Sequence, residues 1–143
     1  MSLSWSTAQL GVLVPGDEPV SLRYGDTHPG RSDAEPYTTI IAFHGTGFNS
    51  IIWSPWLEHL PANVRLIAAN RRGYFGSSPV HESQQLLPNN PEAFGRYVVD
   101  TLAFIKFAVD VLKVEGVRVL DWDSGDFVDF GTSRLVPCSF VDH

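Results

Sequence analysis

Apolar positions along the chain fall into two kinds of run. Ile40 to His44, Val64 to Ala69 and Val117 to Leu120 are short and nearly unbroken. The first of them lacks the alternation of a strand with one wet face, so both its faces are expected to be covered, as in a parallel sheet sandwiched between helices; the other two read as further short strands. The second kind recurs at three- and four-residue spacing. Ile51 to Leu60 reads as a short helix with Trp53, Trp56, Leu57 and Leu60 on one face and Pro55 in its first turn. Asn90, Pro91 and Glu92 form a helix start: a capping side chain, a proline at the first helical position and an early acid. From there to about Lys113, Phe94, Val98, Leu102, Ile105, Val109 and Leu112 make a stripe that Phe104, Phe107 and Val111 widen. So wide an apolar arc predicts burial against a sheet, and Gly116 stops the helix.

At the start of the chain, Leu10 to Val14 and Val20 to Tyr24 flank a Pro-Gly-Asp-Glu-Pro turn and predict a hairpin at a sheet edge, where proline is tolerated. Strands then alternate with helical segments, which indicates an α/β fold with a parallel core. Beyond Gly125 the pattern dissolves. Gly131, Thr132, Ser133 and Pro137 interrupt the cluster of Phe127, Val128 and Phe130. The expected division is a domain over 1–125 and an irregular tail over 126–143.

With 143 residues, 43% of them hydrophobic, the chain can bury a core of its own. Its net charge of −6, with the ten Lys and Arg scattered, argues against a nucleic-acid partner. A single cysteine, Cys138, leaves no internal disulfide and fits a reducing compartment. The start MSLSWSTAQ has neither a basic nor an apolar region, and no apolar run is long enough to span a membrane. A cytoplasmic location without membrane contact is expected, with no metal site and no cofactor.

The candidate chemistry lies at strand ends. Gly45 and Gly47 follow the first apolar run, let the backbone turn sharply and leave amide N–H groups uncovered. Such a loop can bind an anion or a developing oxyanion, and it can equally be a tight strand-to-helix connection.

Three separated motifs agree in order and spacing: HGTGF after the first core strand, NRRGYFGSSP after the second and, beyond the long helix, VRVLDWDSG after the third. Together they resemble the α/β-hydrolase family over about Leu10 to Gly125. The resemblance implies a partial α/β-hydrolase fold: an antiparallel N-terminal hairpin, then parallel strands with flanking helices. It also implies that the loop His44, Gly45, Thr46, Gly47 supplies one oxyanion-hole amide, from Thr46 or Gly47, with His44 bracing the loop. Asn70 to Pro79 would be a structural turn near the site, with no catalytic role for Arg71 or Arg72.

Where the family places G-x-S-x-G, this chain reads Asp121, Trp122, Asp123, Ser124, Gly125. Asp121 stands where a small residue is needed. Ser124 falls one position late, which turns it away from the oxyanion hole. Asp123 occupies the nucleophile position, and relatives resembling epoxide hydrolases and haloalkane dehalogenases attack with a carboxylate there. The family's acid and histidine come from later loops, and Asp142 and His143 read as a frayed end. The expectation is a hydrolase-like protein of the ester or epoxide type, inactive as a lone chain, with a small molecule as ligand. The alternatives are an active hydrolase that uses Asp123 and is completed by a partner chain, or a non-catalytic binding module. With no later strand beside it, Val117 to Leu120 would leave an open edge through which the chain could self-associate.

Overall fold

The computed structural model describes residues 1–31, 36–80, 90–114, 116–121, 126–129 and 134–137. Its strands are β1 (Ser4–Gly11), β2 (Val20–Asp26), β3 (Thr38–Phe43), β4 (Val64–Ala69), β5 (Val117–Asp121), β6 (Asp126–Asp129) and β7 (Arg134–Pro137). They form one sheet in the order β1-β2-β4-β3-β5-β6-β7. The three unbroken runs are its parallel centre: Ile41 sits opposite Ile67 on one side and Val119 on the other. β2 joins β4 antiparallel, and β1 joins β2.

The centre is apolar on both faces because both are covered. Ile41, Phe43, Ile67, Ala69 and Val119 face the helix α1 (Pro91–Asp110), while Ala42, Leu66, Ala68 and Leu120 face Trp53 and its neighbours. Alternation along each strand divides the run between the two cores. The segment Ser50–Glu58, read as a short helix, is a 3-10 helix. Asn49 caps it by accepting from Ile51 N, and its own Trp53 is fully buried against the sheet. Asn90 caps α1 by accepting from Ala93 N at 3.1 Å, with Pro91 at the first position. After α1, Gly116 adopts φ +57°, and a Cβ there would meet Tyr37 O at 3.2 Å. Only glycine fits that approach without a shift.

Three expectations need correction. β1 spans Ser4–Gly11, earlier than the predicted Leu10 to Val14. As an edge strand with Ala8 buried and most neighbours exposed, it needs no apolar run to hold its place. The expected stripe of α1 is its buried side only in part: Ile105 and Leu112 pack against the core, but the rest of the stripe does not. Ala93, Asp100, Phe104 and Ala108 are buried, whereas Phe94, Leu102 and Val109 are 61%, 55% and 44% exposed. The apolar arc is wider than one sheet face can cover, and the aromatic side wins. Phe104 packs edge-on to Tyr24 at 5.6 Å and to Phe43 at 5.9 Å. Finally, β6 and β7 lie within the stretch expected to be an irregular tail, and β6 pairs antiparallel with β5 from Arg118 to Leu120. β5 is therefore not the open edge.

Candidate functional site

β3 ends at Phe43, and its carboxyl end carries the loop that the sequence singles out. Phe48 N donates to Gly45 O at 3.4 Å, and Gly47, at the third position of that turn, has φ +90°. This is the position where a type II turn demands glycine. Gly45 is buried, while Thr46 and Gly47 are exposed.

His44 is fully buried, and both of its ring nitrogens are engaged with the backbone. Nδ1 lies 2.9 Å from Gly45 O, and Arg71 N donates to Nε2 at 3.0 Å. A carbonyl can only accept and an amide N–H can only donate, so the ring is the neutral tautomer with its proton on Nδ1. Its Nε2 lone pair is occupied. Arg71 also donates from Nη1 to His44 O at 3.0 Å, and its guanidinium lies 4.0 Å from the Tyr97 ring centre. His44 thus ties the end of β3 to the start of the loop after β4.

Asn70, buried at the end of β4, makes a second tie. Its Oδ1 accepts from Ser50 N at 2.8 Å and Ser50 Oγ at 2.7 Å, while its Nδ2 donates to Phe75 O at 2.9 Å. Arg72 clamps the same loop onto α1 through a two-pronged ion pair with Asp100. Burial raises the Asp100 carboxyl above its ordinary value, although Arg72 pulls the other way.

Gly47 N donates to Tyr74 Oη at 3.1 Å, and the edge of the Tyr74 ring meets the His44 ring at 4.4 Å between centres. As acceptor of that bond, the hydroxyl keeps its own proton for a further partner. Beside this pair opens a cleft of about 440 Å3, lined by Gly47, Phe48, Asn49, Ile51, Ile52 and Tyr74. Its size and its mix of apolar walls with a few polar groups suit a small organic ligand.

The structure brings His44, Gly45, Thr46 and Gly47 into one turn and adds Tyr74 and Asn70, which the sequence reading passed over. Tyr74 lay in a loop identified only as a turn. Asn70 directly follows a buried strand, the position from which a polar side chain can bridge two loops. Asp123 and Ser124 lie outside the described residues. The strands on either side, β5 and β6, are antiparallel neighbours with Leu120 opposite Phe127. Of the five histidines, His28 and His59 sit toward the amino end of β4, opposite the cleft, and His81 and His143 are outside the described residues. Among the described residues no group of three side chains could hold a metal, and no helix is long and apolar enough to cross a membrane.

No family model matches the sequence, and no curated protein matches it. Solved structures do share the fold. An epoxide hydrolase of the α/β-hydrolase superfamily, from metagenomes of hot environments, is 20% identical with a TM-score of 0.57, over 85% of this chain and 34% of that one. A haloalkane dehalogenase from Bradyrhizobium elkani is 21% identical with a TM-score of 0.56, over 83% of this chain and 33% of its own. A bromoperoxidase from Bacillus anthracis gives 18% identity and a TM-score of 0.54, over 81% and 34%. At these identities the likeness is one of fold, and the chain spans about a third of the length of the proteins it matches.

Proposed function

We propose that this chain, which has a partial α/β-hydrolase fold, binds a small oxygen-bearing molecule of the ester or epoxide type beside Gly47 and does not turn it over alone. The observation that carries this reading is the pairing of Gly47 N–H with Tyr74 Oη at the rim of a largely apolar cleft. Phe48, Ile51 and Ile52 would hold the apolar part of the ligand. The Tyr74 hydroxyl, and the Gly47 amide once released from it, would donate to the ligand's oxygen. His44 serves as a brace in this reading, since its free lone pair is already taken by Arg71 N. A cytoplasmic location belongs to the same reading and rests on the single cysteine.

Titration with phenyl acetate and styrene oxide tests it, followed by the fluorescence of Trp53 and Trp56, which follow Ile51 and Ile52 on the 3-10 helix. Saturable binding is expected. It should weaken in Tyr74→Phe, which keeps the ring and loses the proton, and disappear in Gly47→Val, which cannot easily hold φ +90°. Hydrolysis of the ester should not exceed that of Ser124→Ala. Turnover that vanishes in this variant would overturn the reading, as would binding indifferent to Tyr74→Phe.

The register favours a second reading. Asp121 pairs with Phe43, so β5 leaves the sheet level with β3, two residues before Asp123. A partner chain supplying an acid and a histidine could then complete a hydrolase with Asp123 as nucleophile. Against this stands β6, since a nucleophile elbow passes from strand to helix and 126–129 is a strand. A stoichiometric adduct on Asp123 after incubation with styrene oxide, absent in Asp123→Asn, would decide for the second reading.

A further inference from the structure

We infer that α1 packs antiparallel against α1 of a second copy of this chain, with Leu102 at the two-fold axis. Successive residues turn about 100° around a helix, which divides α1 into three sides. Ala93, Asp100, Phe104 and Ala108 lie on the sheet. Glu92, Arg96, Lys106 and Asp110 form a charged side, with ion pairs between Arg96 and Glu92 and between Lys106 and Asp110. Between them runs a strip of Phe94, Val98, Leu102 and Val109, which are 61%, 37%, 55% and 44% exposed. The strip extends over roughly 22 Å of helix and is continuous with the buried side. Its exposed apolar surface, roughly 400 Å2, is as large as the largest patch of an ordinary monomer.

Two features of the strip make it self-complementary. With Leu102 on the axis, Gly95 of one copy faces Val109 of the other. Gly95 lies inside the helix, where glycine is unfavourable, and a Cβ there would meet nothing within 4 Å among the described residues. Among the described residues nothing requires the missing side chain, whereas an approaching Val109 would use that space. The same register brings Glu92, whose side chain is 79% exposed, level with the carboxyl end of α1 in the second copy, where the exposed Lys113 lies just past the helix at φ +53° and within reach of a long side chain, once at each end. Two such strips and their polar rim fall at the small end of specific interfaces, so the dimer should be a micromolar one.

The test uses the full chain. Light scattering after size exclusion, over a wide concentration range, should show a monomer–dimer equilibrium. Leu102→Glu should weaken it roughly thirtyfold, the loss expected at the centre of an interface, with an unchanged circular dichroism spectrum. Glu92→Lys and Lys113→Glu should each weaken dimerisation, and the double variant should restore it. In a Cys138→Ser background, Leu102→Cys should oxidise to a disulfide-linked dimer far faster than Lys106→Cys. A chain that is monomeric throughout, a dimer indifferent to Leu102→Glu, or a charge swap that restores nothing would each overturn the inference. Retention of monomer by another polypeptide or by vesicles would also count against a second copy as the occupant.

Discussion

Replacing Asn70 by alanine should show what holds the candidate site together. Its side chain is the acceptor for Ser50 N and Ser50 Oγ and the donor to Phe75 O, so one residue joins the loop after β3 to the loop after β4. The three bonds are not equal. The bond to Phe75 O is only partly buried, so that carbonyl can turn to water at little cost, whereas both bonds to Ser50 are buried. A buried N–H left without an acceptor costs about 1–3 kcal/mol, and a lost hydroxyl bond adds about 1 kcal/mol. The expected destabilisation is therefore about 3 kcal/mol, a large share of the roughly 5–15 kcal/mol that holds a domain folded. Urea denaturation should show the midpoint falling with the slope unchanged. Ser50→Ala alone should cost about 1 kcal/mol, because its N–H keeps the Asn70 carbonyl. Asn70→Ala should then cost less in that background than in the natural chain, as coupling between contacting residues requires. A loss below about 1 kcal/mol, or equal losses in both backgrounds, would refute the idea that this amide fastens the two loops.

Phe104→Ala removes the ring that packs against Tyr24, Phe43 and Phe107 on the sheet, and it should cost about 3–5 kcal/mol by denaturation. Leu102→Ala, on the outward side of the same helix, should cost far less in the monomer. Because burial raises the Asp100 carboxyl above its ordinary value, its ionised form is disfavoured in the folded chain. Its contribution to stability is then fully present below the unfolded value and is lost as pH rises through the folded one. Relative to Asp100→Asn, the natural chain should therefore lose stability on going from acid towards neutral pH. A relative gain over that window would mean that the ion pair with Arg72 outweighs burial.

The sequence made the centre of the sheet plain because β3 and the second half of β4 are apolar on both faces, and only a strand covered on both sides reads that way. The first turn of α1 was equally plain, since Asn90, Pro91 and Glu92 act locally. What stayed hidden depends on neighbours. β1 is an edge strand whose polar residues face water, so it carries no apolar run. The choice between Phe104 and Leu102 as the inward side of α1 is set by Tyr24 and Phe43, far away in the chain. At the site, Gly47 was legible because a glycine after a buried strand has few uses. The hydroxyl of Tyr74 was not, because 27 residues separate it from the amide it meets.

β6 decides between two uses of the same stretch of chain. Pairing with β5 covers the backbone groups of Arg118, Val119 and Leu120, which would otherwise form an apolar open edge that invites association. A helix at 126–129 would suit an elbow but leave that edge bare, so sheet closure and elbow geometry compete here. Val128, opposite Val119, is the place to perturb the balance. Proline lacks the N–H and fixes φ near −65°, so Val128→Pro should disrupt the pairing of β6 whichever way the other residues adjust. The variant should aggregate with a rise in thioflavin T fluorescence, and it should do so in a Leu102→Glu background as well, which separates edge association from pairing through α1. Esterase activity should not appear, because freeing the segment supplies no base. If Val128→Pro remains monodisperse and melts like the natural chain, β6 does not protect the edge. If it gains ester turnover that Asp123→Asn removes, the strand has been masking a nucleophile.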